Sequence, residues 1–259
     1  MPKPVREPLT FPAPAEACVA PADFLEACND LGVAFDDGDL ARLGIYLDLL
    51  LRTNKIVNLT AVKEEHAAWT RHVFDALTLL PLLQDLPENA RIADVGSGGG
   101  LPGIPLAICL PSMHVTLIEA TGKKAAFLQH VAAAMGLTNV SVVNDRAETI
   151  GQMGAEHRDS YDVVIARAVG RMAVLAELTM PLARPARDDA DDGGLLLLIK
   201  GERAEEELDE ARQALHKLHA EHVTTMQTPT GRIVVLRKRR RTPRIYPRRA
   251  GEPKRDPLR

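Results

Sequence analysis

Apolar residues follow two rhythms along this chain, one near 3.6 in the first third and one of short β-rich runs after residue 90. "DLARLGIYLDLLLRTNK" places Leu40, Leu43, Tyr46, Leu47, Leu50 and Leu51 on one helical face, with Asp39 at the cap region. A second helix is predicted from Glu64 to about Leu83, with Ala68, Val73, Leu77 and Leu80 inward and Pro81 near its end. From Ala90 onward strands and helices alternate. The predicted strands are Arg91–Val95, Val115–Glu119, Val140–Asn144, Tyr161–Arg167, Leu195–Lys200, Val223–Gln227 and Arg232–Leu236. Helices are predicted between them at Ile104–Leu110, Lys123–Met135, Met172–Leu182 and Glu202–Leu218. Such alternation implies a mostly parallel sheet with helices on both faces. The turn "TPTG" joins the last two strands as an antiparallel hairpin.

Composition changes this picture at the ends. Met1 to about Ala22 is proline-rich and is expected to be poorly ordered. From Arg237 to Arg259, Lys and Arg number 11 against 2 acidic residues, so an acidic body of net charge −12 carries a tail of +9. That asymmetry points to a polyanionic partner. Tyr246, set among arginines, is a candidate to stack on a base. The resulting division is 1–22 as a disordered N-terminus, 23–88 as a helical subdomain, 89–237 as the catalytic domain and 238–259 as a basic, proline-rich tail. Three scattered cysteines fit a reducing cytoplasm, and no metal site is expected. His216, His219 and His222 read as the charged end of a helix. No apolar run reaches membrane-spanning length, and the proline-rich start lacks the apolar centre of a signal peptide.

The chemistry concentrates in "RIADVGSGGGLPGIPLAI", where five glycines follow the first predicted strand. A nucleoside-triphosphate loop needs a lysine after its last glycine, and none is present. The dinucleotide pattern G-x-G-x-x-G fails when counted from Gly96; it fits Gly98, Gly100 and Gly103, two residues farther from the strand. An acidic residue followed by G-x-G-x-G fits Asp94, Gly96, Gly98 and Gly100 in register. That is the first motif of class I methyltransferases, which bind S-adenosyl-L-methionine. Glu119 ends the next strand about 20 residues on, placed to accept both ribose hydroxyls of either an adenosine donor or NAD.

Beyond these generic features, the chain from about Leu40 to Leu236 resembles the bacterial 16S rRNA guanine-N7 methyltransferase G family, also called glucose-inhibited division protein B. The resemblance is carried by "DVGSGGGLPGIPLAI", "NKIVNLTAV", "RHVFDAL", "TGKKAAFL", "ARAV" and "KGE". It implies a Rossmann-like α/β fold with a seven-stranded sheet and an N-terminal helical extension; the basic tail extends past the shared core and resembles extensions found in only part of the family. It further implies methyl transfer to N7 of a guanine in the 530 loop of 16S rRNA, acting as a monomer on the RNA or the small ribosomal subunit. Gly96 and Leu101 match the family's glycine-loop contacts, Glu119 its ribose acid, Ala147 and Glu148 its adenine-flanking pair, and Arg167 a pocket arginine. The family often carries aromatic residues where Thr53 and Val57 stand here, so no base-stacking role passes to them.

A lone pair on N7 carries no proton, so no general base is required, and no catalytic His or Cys constellation stands out. Arg167, Lys200 and Asn58 are positioning candidates; each also has a structural reading as a strand-end cation or a turn former. His72 and Asp75 share one helix face and read as a structural pair more than a site. The competing readings are a methyltransferase for another RNA or a small molecule, a dehydrogenase using the shifted glycine match, and a non-catalytic RNA-binding assembly factor.

Overall fold

The computed structural model describes residues 9–167, 170–188 and 191–259. Part of "ARAV" (Ala168 and Val169) lies outside the described residues.

The helical N-terminal part comprises α1 (Ala22–Asp30), α2 (Asp39–Thr53), α3 (Glu65–Ala68), a π-helical turn (Trp69–Phe74), α4 (Asp75–Leu77) and α5 (Leu80–Leu83). The sheet domain then alternates β1 (Arg91–Val95), α6 (Gly103–Cys109), β2 (His114–Ile118), α7 (Gly122–Ala134), β3 (Val140–Val143), α8 (Ala147–Ile150), β4 (Val163–Arg167), α9 (Met172–Thr179) and β5 (Gly194–Lys200). It finishes with α10 (Ala204–Glu210), α11 (Arg212–Leu218), β6 (Ala220–Thr228), β7 (Gly231–Lys238) and α12 (Glu252–Arg255). All seven predicted strands form one sheet in the order β3-β2-β1-β4-β5-β7-β6. Strands β1 to β5 are parallel, while β7 runs antiparallel to both β5 and β6. Strand order reverses between β1 and β4, which opens a crevice at their carboxyl ends.

The period-2 pattern of each strand divides the core in two. Ile92, Val163, Ile165, Leu197 and Val235 pack with α2, α6 and α7 on one face. Ala93, Val95, Val164, Leu196, Leu198 and Val234 pack with α9 and α11 on the other. Both faces are buried, so the strands read as continuous apolar runs.

Three elements depart from the sequence expectation. The helix predicted over 64–83 is broken: the Thr78 hydroxyl donates to the Asp75 carbonyl at 2.6 Å, a local bond that competes with helical winding, and Pro81 opens a new turn. The helix predicted over Glu202–Leu218 divides at Ala211. Short α1 escapes the periodicity count, yet it buries Phe24 with its ring centroid 4.7 Å from that of Trp69.

The N-terminal segment departs from the expectation of poor order, as far as it is described. Residues 9–21 form an extended strap with no regular element up to Pro21. Phe11 meets Phe127 edge-on at 6.0 Å, the Pro12 carbonyl lies 2.8 Å from His130 Nε2, and the Cys18 amide donates to the Gly44 carbonyl at 3.2 Å. Proline removes backbone donors but does not prevent an extended segment from docking through its carbonyls and an aromatic anchor. The basic tail is likewise docked, as a C-terminal arm. It leaves β7 at Lys238, whose buried ammonium binds Asp159 at 2.6 Å and the Met180 carbonyl at 2.7 Å. The buried Arg158 guanidinium then grips the carbonyls of Thr242 and Tyr246, each at 2.8 Å. Tyr246 is 8% exposed and packs into the second core, so it is not available to stack on a base.

Candidate active site

Geometry at the crevice begins with the glycine loop after β1. Gly96, Gly98 and Gly100 have φ of 76°, 57° and 96°, which is why these positions need glycine. Bonds to the end of β2, to Glu119 and to α2 tie the loop to its surroundings. The amides of Gly96 and Ser97 donate to the Ile118 carbonyl at the end of β2, at 2.9 and 3.2 Å. The Gly98 amide donates to Glu119 Oε2 at 3.0 Å, and the buried Tyr46 hydroxyl donates to the Gly99 carbonyl at 2.8 Å. Tyr46 was legible in the sequence only as part of the apolar face of α2.

Asp94, fully buried, accepts the Gly103 amide on Oδ2 at 3.1 Å and so fixes the start of α6. Burial pushes its carboxyl up to about 7. Gly103, the third member of the shifted dinucleotide match, is consumed by packing: a Cβ there would lie 2.3 Å from Leu117 and 2.8 Å from Asp94. Gly103 therefore has no open side toward a ligand.

A cavity of about 760 Å³ opens beyond the carboxyl ends of β1, β2 and β3. Its floor is Val95, Gly96, Ile118 and Glu119; one side is Asp145 to Glu148, and another is Gly170, Arg171, Val174 and Leu178 around the start of α9. The remaining side comes from Gly251, Pro253, Lys254 and Pro257 of the arm. Of the residues singled out in the sequence, the fold brings Gly96, Glu119, Ala147 and Glu148 together on this cavity. Asp94, Gly98, Gly100 and Leu101 shape the loop behind it.

Glu119 has a double duty. Its Oε1 accepts the Thr121 amide at 2.7 Å and its Oε2 the Gly98 amide, leaving each oxygen one further lone-pair direction. Glu148 accepts the Gly251 amide of the arm on Oε1 at 2.8 Å. An acidic floor beside an apolar wall suits a nucleoside with free ribose hydroxyls, and the glycine backbone leaves room at the other end.

The positioning candidates fall elsewhere. Arg167, at the end of β4, is not among the cavity-lining residues. It pairs with Asp75 at 2.8 Å and donates to the Arg71 carbonyl at 2.6 Å, pinning the sheet to the π-helical turn. Asp75 also accepts a short hydrogen bond from the Thr230 hydroxyl of the β6–β7 turn. His72, expected as a partner of Asp75, lies instead 2.6 Å from the Thr60 hydroxyl; burial and nearby Arg167 lower its pKa to about 4. Lys200 binds Glu207 at 2.6 Å and the Gly170 carbonyl at 2.8 Å, which places it behind the rim of the cavity. Asn54 staples its own loop by accepting the amides of Leu59 and Thr60, whereas Asn58 is exposed on that loop. The three histidines do not share a helix end: His219 caps α11 at φ 60°, and His222 lies in β6.

A doubly wound sheet closed by an antiparallel β7, a glycine turn after β1 and an acid after β2 together define a Rossmann-like class I methyltransferase. An O-methyltransferase from Bacillus cereus shares this fold at a TM-score of 0.52 and 18% identity, over 82% of this chain and 96% of that one. The model of the rRNA small subunit methyltransferase G family matches residues 39–235, and the chain belongs to that family. Ribosomal RNA small subunit methyltransferase G of Sorangium cellulosum is 50% identical over 249 residues, covering 96% of this chain and 100% of that protein. The protein of the same name from Staphylococcus carnosus is 35% identical over 90% of this chain and 97% of its own length.

Proposed function

We propose that this protein transfers a methyl group from S-adenosylmethionine to N7 of a guanine in 16S rRNA, within the 530 loop. The observation that carries the reading is the convergence of Gly96, Glu119, Ala147 and Glu148 on one cavity at the reversal of strand order. When bound, the donor supplies an electrophilic methyl carbon on a sulfonium.

The residues present fit that donor. Glu119 accepts the ribose hydroxyls with the lone pairs its backbone bonds leave free. Ala147 and Glu148 flank the adenine, and the backbone from Gly96 closes on the amino-acid end. Asp94 stays behind the loop and sets its curvature through Gly103. Because guanine N7 has a lone pair and no proton, the chain need not supply a base. Its work is alignment and exclusion of water. Arg167 and Lys200 act as positioning residues through the π-helical turn and the Gly170 rim. Asn58, exposed beside the glycine loop, faces the RNA.

RNA phosphates are held by the outward cations of the arm. Arg240, Arg241, Arg244, Arg249 and Arg255 are exposed. The test supplies labelled S-adenosylmethionine with small-subunit RNA, assembled subunits or free guanosine. Transfer to RNA or subunits but not to guanosine is expected. Transfer to guanosine alone points to a small-molecule enzyme, and RNA binding without transfer points to an assembly factor. Glu119→Ala is expected to weaken S-adenosylhomocysteine binding by at least tenfold in calorimetry.

A further inference from the structure

The C-terminal arm lies beyond the matched family region, which ends at residue 235, and the donor assignment above gives it no role at the cavity. Yet Gly251, Pro253, Lys254 and Pro257 line that cavity together with Glu119 and Ala147. We propose that the arm is the closing wall of the methyl-donor pocket, contacting the adenosine half of the donor, and that arm docking and donor binding stabilise one another. This rests on the donor reading of the cavity.

Anchorage of the arm is built in, and it is specific. It starts at the amino end of the sheet and climbs along α8 and α9 to the carboxyl end. Arg158 holds the Thr242 and Tyr246 carbonyls near its root. Gln152 Nε2 donates to the Pro247 carbonyl at 2.8 Å. Arg248 then meets Glu177, a fully buried carboxylate of α9, through its backbone amide at 2.8 Å, Nε at 2.9 Å and Nη2 at 2.7 Å. Stripping this partner from a buried carboxylate would be strongly destabilising, so Arg248 is a firm clip rather than a transient neighbour.

Beyond the clip the arm changes character. The Gly251 amide donates to Glu148 Oε1, so a residue assigned to the adenine also anchors the arm. The residues of the arm that line the cavity are Gly251, Pro253, Pro257 and Lys254, three of them without a polar side chain and suited to the face of a purine. Arg249 and Arg255 stay on the exposed side. The arm thus presents Gly251, Pro253 and Pro257 together with Lys254 to the cavity, and Arg249 and Arg255 to solvent. A ligand that binds both the Glu148 side and the arm must favour the docked arm by mass action.

Two measurements on the protein test this. Truncation after Ala250 removes the wall but keeps the bonds of Arg158 to Thr242 and Tyr246 and of Arg248 to Glu177. Against the full chain it is expected to bind S-adenosylhomocysteine at least tenfold more weakly in calorimetry. Independently, trypsin cleavage of the full chain after Arg249, Lys254 and Arg255 is expected to slow at least fivefold with saturating S-adenosylhomocysteine. This second readout holds even where the truncated chain fails to fold. Unchanged affinity in the folded truncation, or cleavage rates indifferent to the ligand, would overturn the arm proposal. If Glu119→Ala still weakened binding, the donor reading would survive that result. A full chain that bound no S-adenosylhomocysteine would remove both.

Discussion

At the residue scale, the glycine loop beside the cavity depends on side chains outside it. Tyr46→Phe leaves the buried Gly99 carbonyl without its donor, a change worth about 1–3 kcal/mol. A lower Tm and weaker S-adenosylhomocysteine binding are expected together; a lower Tm with unchanged affinity would make Tyr46 a core residue only. Asp94 carries a pH signature. Burial raises its pKa from the ordinary 3.8 to about 7, so the folded state favours the protonated acid. Its contribution to stability is therefore fully present below pH 3.8 and is lost as pH rises through about 7. In Asp94→Asn that pH dependence is expected to flatten in thermal melts between these limits, because the amide oxygen can still accept from Gly103 without a charge to bury. Asp94, Gly96 and Glu119 were legible as chemistry because their spacing from a strand is a local property. Tyr46, Arg158 and Glu177 were not, because what defines them is a partner 53, 88 and 71 residues away.

Strands were the most readable elements, since burial on both faces leaves runs of Val, Ile and Leu that few other structures tolerate. Helix interruptions were less readable: the break at Thr78 depends on a hydroxyl–carbonyl bond, and the break at Ala211 leaves no proline or glycine behind. Proline content misleads at the N-terminal segment, because extended chain that cannot wind into a helix can still dock through its carbonyl acceptors. Gly44 exposes how tightly the N-terminal strap lies. A Cβ at this position would sit 2.2 Å from the Cys18 carbonyl oxygen and 3.2 Å from the Ala17 Cβ. Gly44→Ala is expected to lift the strap from α2 at a cost of about 1–3 kcal/mol, seen as a lower Tm and faster proteolysis ahead of Ala22. A wild-type melt would mean the strap contributes little to the fold.

For the whole molecule, the acidic body and basic arm make one system rather than a domain and a loose tail. Several arm cations are spent on internal acids: Arg239 on Glu221, Arg248 on Glu177 and Lys238 on Asp159. The net charge of the tail therefore overstates what it offers to RNA. Charge reversal at exposed Arg240 and Arg244 is expected to weaken RNA binding and make its salt slope shallower, by roughly 0.7–0.9 for each phosphate no longer neutralised. An unchanged slope would remove these residues from the RNA surface. Sequence separated the donor site from its rivals by glycine register, but guanine and N7 come from resemblance alone, because no distance within the protein reports the target atom. The most direct measurement is therefore to map the modified nucleotide after incubating small-subunit RNA and assembled subunits with labelled S-adenosylmethionine. The account predicts 7-methylguanosine at a guanine of the 530 loop; label on an adenine, a ribose or another guanine atom would contradict it.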